Sequence, residues 1–452
     1  MDITTQKLMM GAAGASGGPA GSYYIQTLTG DTTANISVNL GGFIKAFTGG
    51  YYAVWRNNSS SGNTIVKFDL EGNIIWATLE NVKSTPYAID VDTTGNVVVA
   101  GQAAGSSGIA FYNKVDGNAG GRSDNGKTIQ PVGSASNQAA GIACDGTSVG
   151  LYSFTPKGGS DTNVASINKY DDTANPLTSF TLRGSGFQIE LTGQMAFDSS
   201  SNMYLTAYGR RSGIPTSSIF LLKLNSTGDT VWGRAYTVPD PVAGSHINQY
   251  FTNTANTLHI DSSSNLYSIS YAQVTPNYVI VKKNDSSANL QYSKTLFYAN
   301  ANTNVNGGIT TDASGNAYVL MRGLASNFAS VIVKLDSSGN IVFGRALTFG
   351  SSSSVNPGTI DIDENGNIVI GGVLDSGVKS GFVACLPPDG SLIGTYPDGN
   401  GGTWTYADAP IDTIKADSTP VNVSTTKGSP SNDLNRTSRR TPYTPEINII
   451  EL

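Results

Sequence analysis

The chain has 452 residues, of which only 13% are charged, with a formal net charge of −6 and a pI near 5.0. Affinity for a phosphate backbone comes mostly from Lys and Arg, so this acidic balance argues against nucleic acid as the main partner. No run approaches the roughly eighteen apolar residues of a membrane-spanning helix, and two cysteines, Cys144 and Cys385, supply no disulfide framework.

Residues 1–22 are rich in Gly and Ala and carry too short an apolar patch for a secretory signal. YYIQTLTG follows at 23–30. It matches VFGRALTF at 342–349, the fourth strand of a later unit, and so is expected to join the last unit and close the fold on itself.

From about 38 to 397 the chain repeats. One landmark is Lys-x-Asp, at Lys67, Lys114, Lys169, Lys283 and Lys334, with Lys223 leading the variant KLN. The Lys-to-Lys spacings are 47, 55, 54, 60 and 51. The other landmark is an apolar strand ending in Asp, a small polar turn and a second strand, as in IDVDTTGNVVVAG at 89–101 and ITTDASGNAYVLM at 309–321. Its anchor aspartates are Asp92, Asp145, Asp198, Asp261, Asp312 and Asp363, and FIKAFTGGYYAVW at 43–55 is the opening copy. Gly and Asn accept the positive φ of tight hairpins, and Asp bonds its own backbone two residues on.

Each unit of about fifty residues therefore holds four short strands, which is one propeller blade. An isolated blade is apolar on both faces and becomes stable only when neighbours cover them. The expected fold is all-β: a seven-bladed β-propeller at 23–397, with extended N- and C-terminal tails at 1–22 and 398–452. The seventh unit is irregular, with Cys385 in place of Lys and Pro387 in place of Asp.

The C-terminal tail has no repeat. Its Ser/Thr/Pro-rich middle, with Arg436, Arg439 and Arg440, reads as extended or disordered in isolation. The terminal INIIEL reads as a docking strand, either for another chain's sheet edge or for the chain's own ring.

Candidate chemistry is sparse. His246 and His259 are too few for a multi-His metal site and read as structural; His259 sits in a column held elsewhere by Ala, Asp or Thr. Asp361, Asp363, Asn365 and Gly366 match the opening of a calcium loop, but position twelve is Gly372 rather than an acid, so a hairpin turn is the better reading. The repeated lysines read as stems packed on the sheet that meet a turn Asp. Trp76, Trp232, Tyr292 and Phe343, each nine residues past a Lys, read as inter-blade packing, and Cys144 as a buried thiol. No catalytic, cofactor-binding or metal-binding residue is assigned, and no cofactor is expected.

Two segments carry a resemblance. VIVKLDSSGNIVFGRAL at 331–347 and ITTDASGNAYV at 309–319 resemble the bacterial SBBP-type β-propeller repeat, which implies no catalytic residues. ITTQKLMMGAAGA at 3–15 resembles the leader of virion structural proteins of marine cyanophages and related tailed phages. That resemblance implies a non-enzymatic virion component of the tail or tail fibre, present as a homo-oligomer in the particle. It would contact other virion proteins through 1–22 and 398–452 and present the propeller for attachment to a host-surface glycan or protein. A carbohydrate-binding adhesin module and a capsid decoration protein are the alternatives.

Overall fold

The computed structural model describes residues 4–450 except 11–22, 30–35, 58–61, 81–83, 104–108, 121–126, 130–137, 156–163, 212–216, 240–245, 251–256, 273–276, 299–302, 324–328, 351–352, 377–378, 398–401, 414–418, 429–446 and the single positions 147, 174, 186, 248 and 423. The described residues form antiparallel strands in seven sheets and contain no helix. The innermost strands are Ile36–Phe47, Ser84–Val91, Gln138–Asp145, Phe187–Phe197, Leu258–Ile260, Thr303–Thr311 and Ser354–Ile362. Each contacts the next, and the last contacts the first, so the sheets close into a ring of seven blades.

The middle strands explain why a ring is required. In Leu266–Ala272, Tyr278–Asn284, Ala317–Gly323 and Ala329–Leu335 five successive residues are buried, so both faces of each sheet are covered. Val319, Val331 and Val333 pack toward the fifth blade with Ile269, Val279 and Val281, while Leu320 and Ile332 pack toward the seventh with Ile370 and Phe382. Each such side chain contributes about 1.5–3 kcal/mol relative to leaving it exposed.

The recurrent Asp turn forms as its sequence predicts. At Asp312 the carboxylate accepts the amides of Ser314 and Asn316, both at 3.0 Å, and Tyr318 Oη donates to it at 3.1 Å. The two amide bonds recur at Asp92, Asp198, Asp261 and Asp363, and a tyrosine donates likewise at Asp198 and Asp261, from Tyr204 and Tyr267. The fourth turn residue has positive φ, supplied by Gly95 or Gly366 in some blades and by Ser201 or Ser264, both at 60°, in others.

The ring closes through the N-terminal strand. Tyr23–Thr29 pairs with Lys379–Leu386, from Tyr24 opposite Cys385 to Leu28 opposite Gly381, and is the fourth strand of the seventh blade. The seventh unit's own continuation, Gly394–Pro397, does not stay with its blade. It pairs with Thr403–Asp408, which lies on the outer strand of the sixth blade. At the seam between the seventh and first blades, Gly42 at φ 76° lies so close to Gly372 that a Cβ would fall 2.1 Å from the Gly372 amide nitrogen. Trp55 Nε1 donates to Gly372 O at 3.0 Å, and Ile44 N donates to Thr359 Oγ1 at 2.6 Å across the same seam.

The described parts of both tails form further strands of the ring. Thr4–Met10 pairs outside Tyr23–Thr29 on the seventh blade. Beyond residue 402 the chain travels back round the rim: Thr403–Asp408 on the sixth blade, Ile411–Asp412 on the fifth, Thr419–Asn422 on the fourth, Ser424–Gly428 on the third and Ile447–Ile450 on the first. Every pairing is antiparallel to the blade's outermost strand. On the second blade the outermost strand is Lys127–Ile129, from that unit itself. Of the terminal INIIEL segment, Ile447–Ile450 is thus seated on the chain's own first blade. Arg436, Arg439 and Arg440 lie outside the described residues.

Candidate functional site

Aligning the seven hairpins by register brings one residue per blade to the same level of the central channel: Lys45, Asp90, Ala143, Ala196, His259, Thr310 and Asp361, in ring order. Six of these lie two positions before an anchor Asp, so the column was present in the sequence. Its inward direction follows only once the ring is closed.

The charged arc is built on blades seven, one and two. Lys45 Nζ lies 3.5 Å from Asp90 Oδ1 and 3.7 Å from Asp361 Oδ2. Asp361 and Asp90 push the Lys45 ammonium well above its ordinary value, with Asp361 the larger influence and burial opposing both. Neither carboxylate depends on the lysine alone. Asp361 Oδ1 accepts Thr310 Oγ1 and the Ile362 amide, both at 3.0 Å, and Oδ2 accepts the Ala46 amide at 3.0 Å. Asp90 Oδ2 accepts the Cys144 amide at 2.7 Å. Apart from the Ile362 bond, these run from blade to blade and knit the inner strands together.

On the far side, His259 Nε2 meets Thr311 Oγ1 at 3.0 Å. Burial lowers His259 to about 4, against a smaller opposing pull from Asp361, so the ring is neutral at pH 7. Burial likewise holds the Cys144 thiol well above its usual range, which leaves it protonated and unreactive. A cavity of about 180 Å³ opens beside this arc, with Lys45, Asp90, Ala143, Ala196 and His259 in its wall.

Asp363 and Asn365 belong to the hairpin turn: Asp363 Oδ1 accepts the amides of Asn365 and Asn367 at 2.9 and 2.8 Å. Asp361 is drawn to the channel instead, so the three residues of the calcium-like string do not converge. His246 lies in a two-residue strand, His246–Ile247, paired with Val238 and Pro239.

The repeated lysines are staples, within a blade and in several cases to the next one. Lys114 meets Asp92 at 3.0 Å, Lys169 meets Asp145 at 2.6 Å, Lys223 meets Asp198 at 3.4 Å and Lys334 meets Asp312 at 3.8 Å, each within its blade. Several also donate to a carbonyl of the next blade's outer turn: Lys67 to Gly117 at 2.5 Å, Lys283 to Ser337 and Lys334 to Pro388, both at 3.0 Å. The ammonium groups lie over the rings of Tyr204, Tyr267 and Tyr318 at 4.8–5.2 Å. The aromatics nine residues on also reach the next blade: Trp76 covers Gly120, Tyr292 covers Gly339 and Phe343 covers Gly390, while Trp232 Nε1 donates to Ser286 O at 3.2 Å.

These features define the class of the molecule: a seven-bladed β-propeller whose channel carries a mixed polar ring. The sequence matches no family model and no curated protein. Among solved structures it is similar in fold to an ulvan lyase, described as a new family of polysaccharide lyase. That likeness has 8% identity, covers 80% of this chain and 96% of that one, and has a TM-score of 0.51. A complex of the ulvan lyase with a sugar-acid and sulfated rhamnose ligand matches at 9% identity over the same shares, with a TM-score of 0.50. A sialidase of Trypanosoma rangeli bound to the inhibitor DANA is 12% identical over 70% of this chain and 57% of its own, with a TM-score of 0.39. Enzymes thus stand among the structural neighbours. At these identities the likeness concerns fold and carries no activity to this chain.

Proposed function

We propose that the chain is a non-enzymatic structural component of a tailed-phage particle, in the tail or its fibre apparatus, that presents a rigid disc at the particle surface. The observation that carries this reading is the segment ITTQKLMMGAAGA at 3–15, with its resemblance to cyanophage-type virion leaders. The architecture suits the role. A closed ring with strapped termini holds its loops in fixed positions on two faces. Thr4–Met10 and the C-terminal strands Ile411–Asp412, Thr419–Asn422, Ser424–Gly428 and Ile447–Ile450 lie at the outer edges of their blades, so 1–22 and 398–452 are the segments a neighbouring subunit would meet first. Asp90 and Asp361 each accept a backbone amide from a neighbouring blade, which supports a structural use of the channel ring.

Immunogold labelling of purified phage particles with an antibody to the propeller tests the reading. Gold at the tail or fibres is the expected result. Gold distributed over the head would replace it with capsid decoration. Absence of the protein from purified particles, checked by mass spectrometry, would overturn it.

A further inference from the structure

The channel cavity combines three features that its structural role does not require. First, it has room. The ring position is Ala143 on the third blade and Ala196 on the fourth, where neighbouring blades carry longer side chains, and the void of about 180 Å³ lies against these short residues. That volume exceeds what one water needs many times over.

Second, donors and an acceptor remain available at its edge. The Lys45 ammonium has its carboxylate oxygens at 3.5 and 3.7 Å, longer than the roughly 2.7–2.9 Å of a full charge-assisted hydrogen bond. Asp90 has one oxygen on the Cys144 amide and the other turned toward Lys45. Both side chains are reachable, retaining 31% and 18% of their surface. Third, the walls are mixed, with Ile142, Met195 and Leu258 beside these polar groups, as in small-molecule sites.

The charge pattern selects the ligand. A metal cation would meet the ammonium of Lys45, and an anion would meet the carboxylate of Asp90. A hydroxyl both donates and accepts, so neighbouring hydroxyls on one ring can take the lysine donor and the aspartate acceptor together. We propose that this cavity binds a neutral polyhydroxylated ring, a single sugar unit, with Lys45 and Asp90 on adjacent hydroxyls and the apolar wall against the ring's C–H face. The proposal rests on the cavity alone and stands or falls independently of the virion assignment.

Saturation-transfer NMR on the full chain, with the methyl glycosides of glucose, galactose, mannose and rhamnose, tests it. Short oligosaccharides of the same sugars and the charged sugars glucuronate and glucosamine complete the panel. At least one neutral glycoside should bind, and affinity should fall about tenfold or more, some 1.4 kcal/mol, in Ala196→Leu, which fills the cavity without removing a polar group. Asp90→Asn should weaken the same ligand. If Ala196→Leu does not fold, Ala143→Val serves as the filling variant. Equal affinity for glycoside and oligosaccharide identifies a free sugar, and a gain with the oligosaccharide identifies the terminal unit of a glycan. Binding of charged sugars alone, binding indifferent to a filled cavity, or no binding by any neutral glycoside would overturn the proposal.

Discussion

Tyr24 stands opposite Cys385, the register in which Trp76 faces Lys67, Trp232 faces Lys223, Tyr292 faces Lys283 and Phe343 faces Lys334. Its ring covers Gly72 of the first blade, as the other aromatics cover the outer turn of the next blade. An N-terminal residue therefore completes the pattern on the seventh blade, opposite a cysteine more than three-quarters of the chain away. Tyr24→Ala should cost about 3 kcal/mol, in the range for emptying a large aromatic site. Chemical denaturation should show this loss, with an unchanged circular dichroism spectrum in water.

The seam between the seventh and first blades has a steric signature. Gly42→Ala places a methyl against the Gly372 backbone at a positive φ and should unfold the chain or lower its midpoint severely. Gly49, at φ 89° with nothing within 4 Å of its added Cβ, is the control. Gly49→Ala should cost only about 1 kcal/mol, the conformational term alone. Equal losses in the two variants would show that the close approach at the seam is not what limits Gly42.

Lys114 and Asp92 form the most enclosed staple, with 5% and 1% of their side-chain surfaces exposed. Burial alone would raise the Asp92 carboxyl. Hydrogen bonds from Thr94, Lys114 and Asn96 outweigh that and hold it below its ordinary value. Its stabilisation is therefore present above the unfolded carboxylate value near 4 and is lost as pH falls through the lower folded value. Lys114→Met leaves Asp92 buried without its cation and should cost about 3 kcal/mol near neutrality. The deficit should narrow on acidification, which urea titrations at several pH values would measure.

His259 gives a second pH window of the same sign. It is lowered to about 4 in the fold, below its ordinary value of 6.5. Between these values the unfolded chain binds a proton that the folded chain does not, so stability falls as pH drops from about 6.5 toward 4. His259→Gln should flatten that part of the profile. A midpoint that remains equally steep between pH 6.5 and 4.5 in the variant would remove His259 from the account.

Trp404 tests the strap. It is 1% exposed, and its ring centroid lies 4.9 Å from that of Phe349 and 5.5 Å from that of Phe382. Trp404→Ala should cost about 3–4 kcal/mol. It should also expose residues beyond 402 to limited proteolysis before the ring itself is cut. Simultaneous cleavage of both would mean that strap and ring open as one unit.

Much of this was legible in the chain because local chemistry repeats. The Asp turns and the anchor-Asp contacts of the Lys column are set within one hairpin pair, and the aromatic nine residues on recurs at a fixed spacing although its contact lies on the next blade. YYIQTLTG was recognisable as a displaced fourth strand for the same reason. The rim strands were less legible: their attachment runs through backbone hydrogen bonds, which TWTYAD and STTKG can make as readily as many other sequences. The departure of Gly394–Pro397 from its own blade follows from Tyr23–Thr29 already occupying that edge. The channel ring was hidden because Lys45, Asp90 and Asp361 are far apart in sequence and meet only through closure.

The direction of the strap bears on how the chain matures. Blades emerge from the ribosome in the order one to seven, but the rim is covered in the order six, five, four, three, one. Ile447–Ile450 pairs with a strand synthesised several hundred positions earlier. Through most of translation the nascent chain therefore carries bare strand edges, which are templates for mispairing with other chains. Such long-range closure is slow, and yield during expression should depend on how well those edges are shielded until the strap arrives.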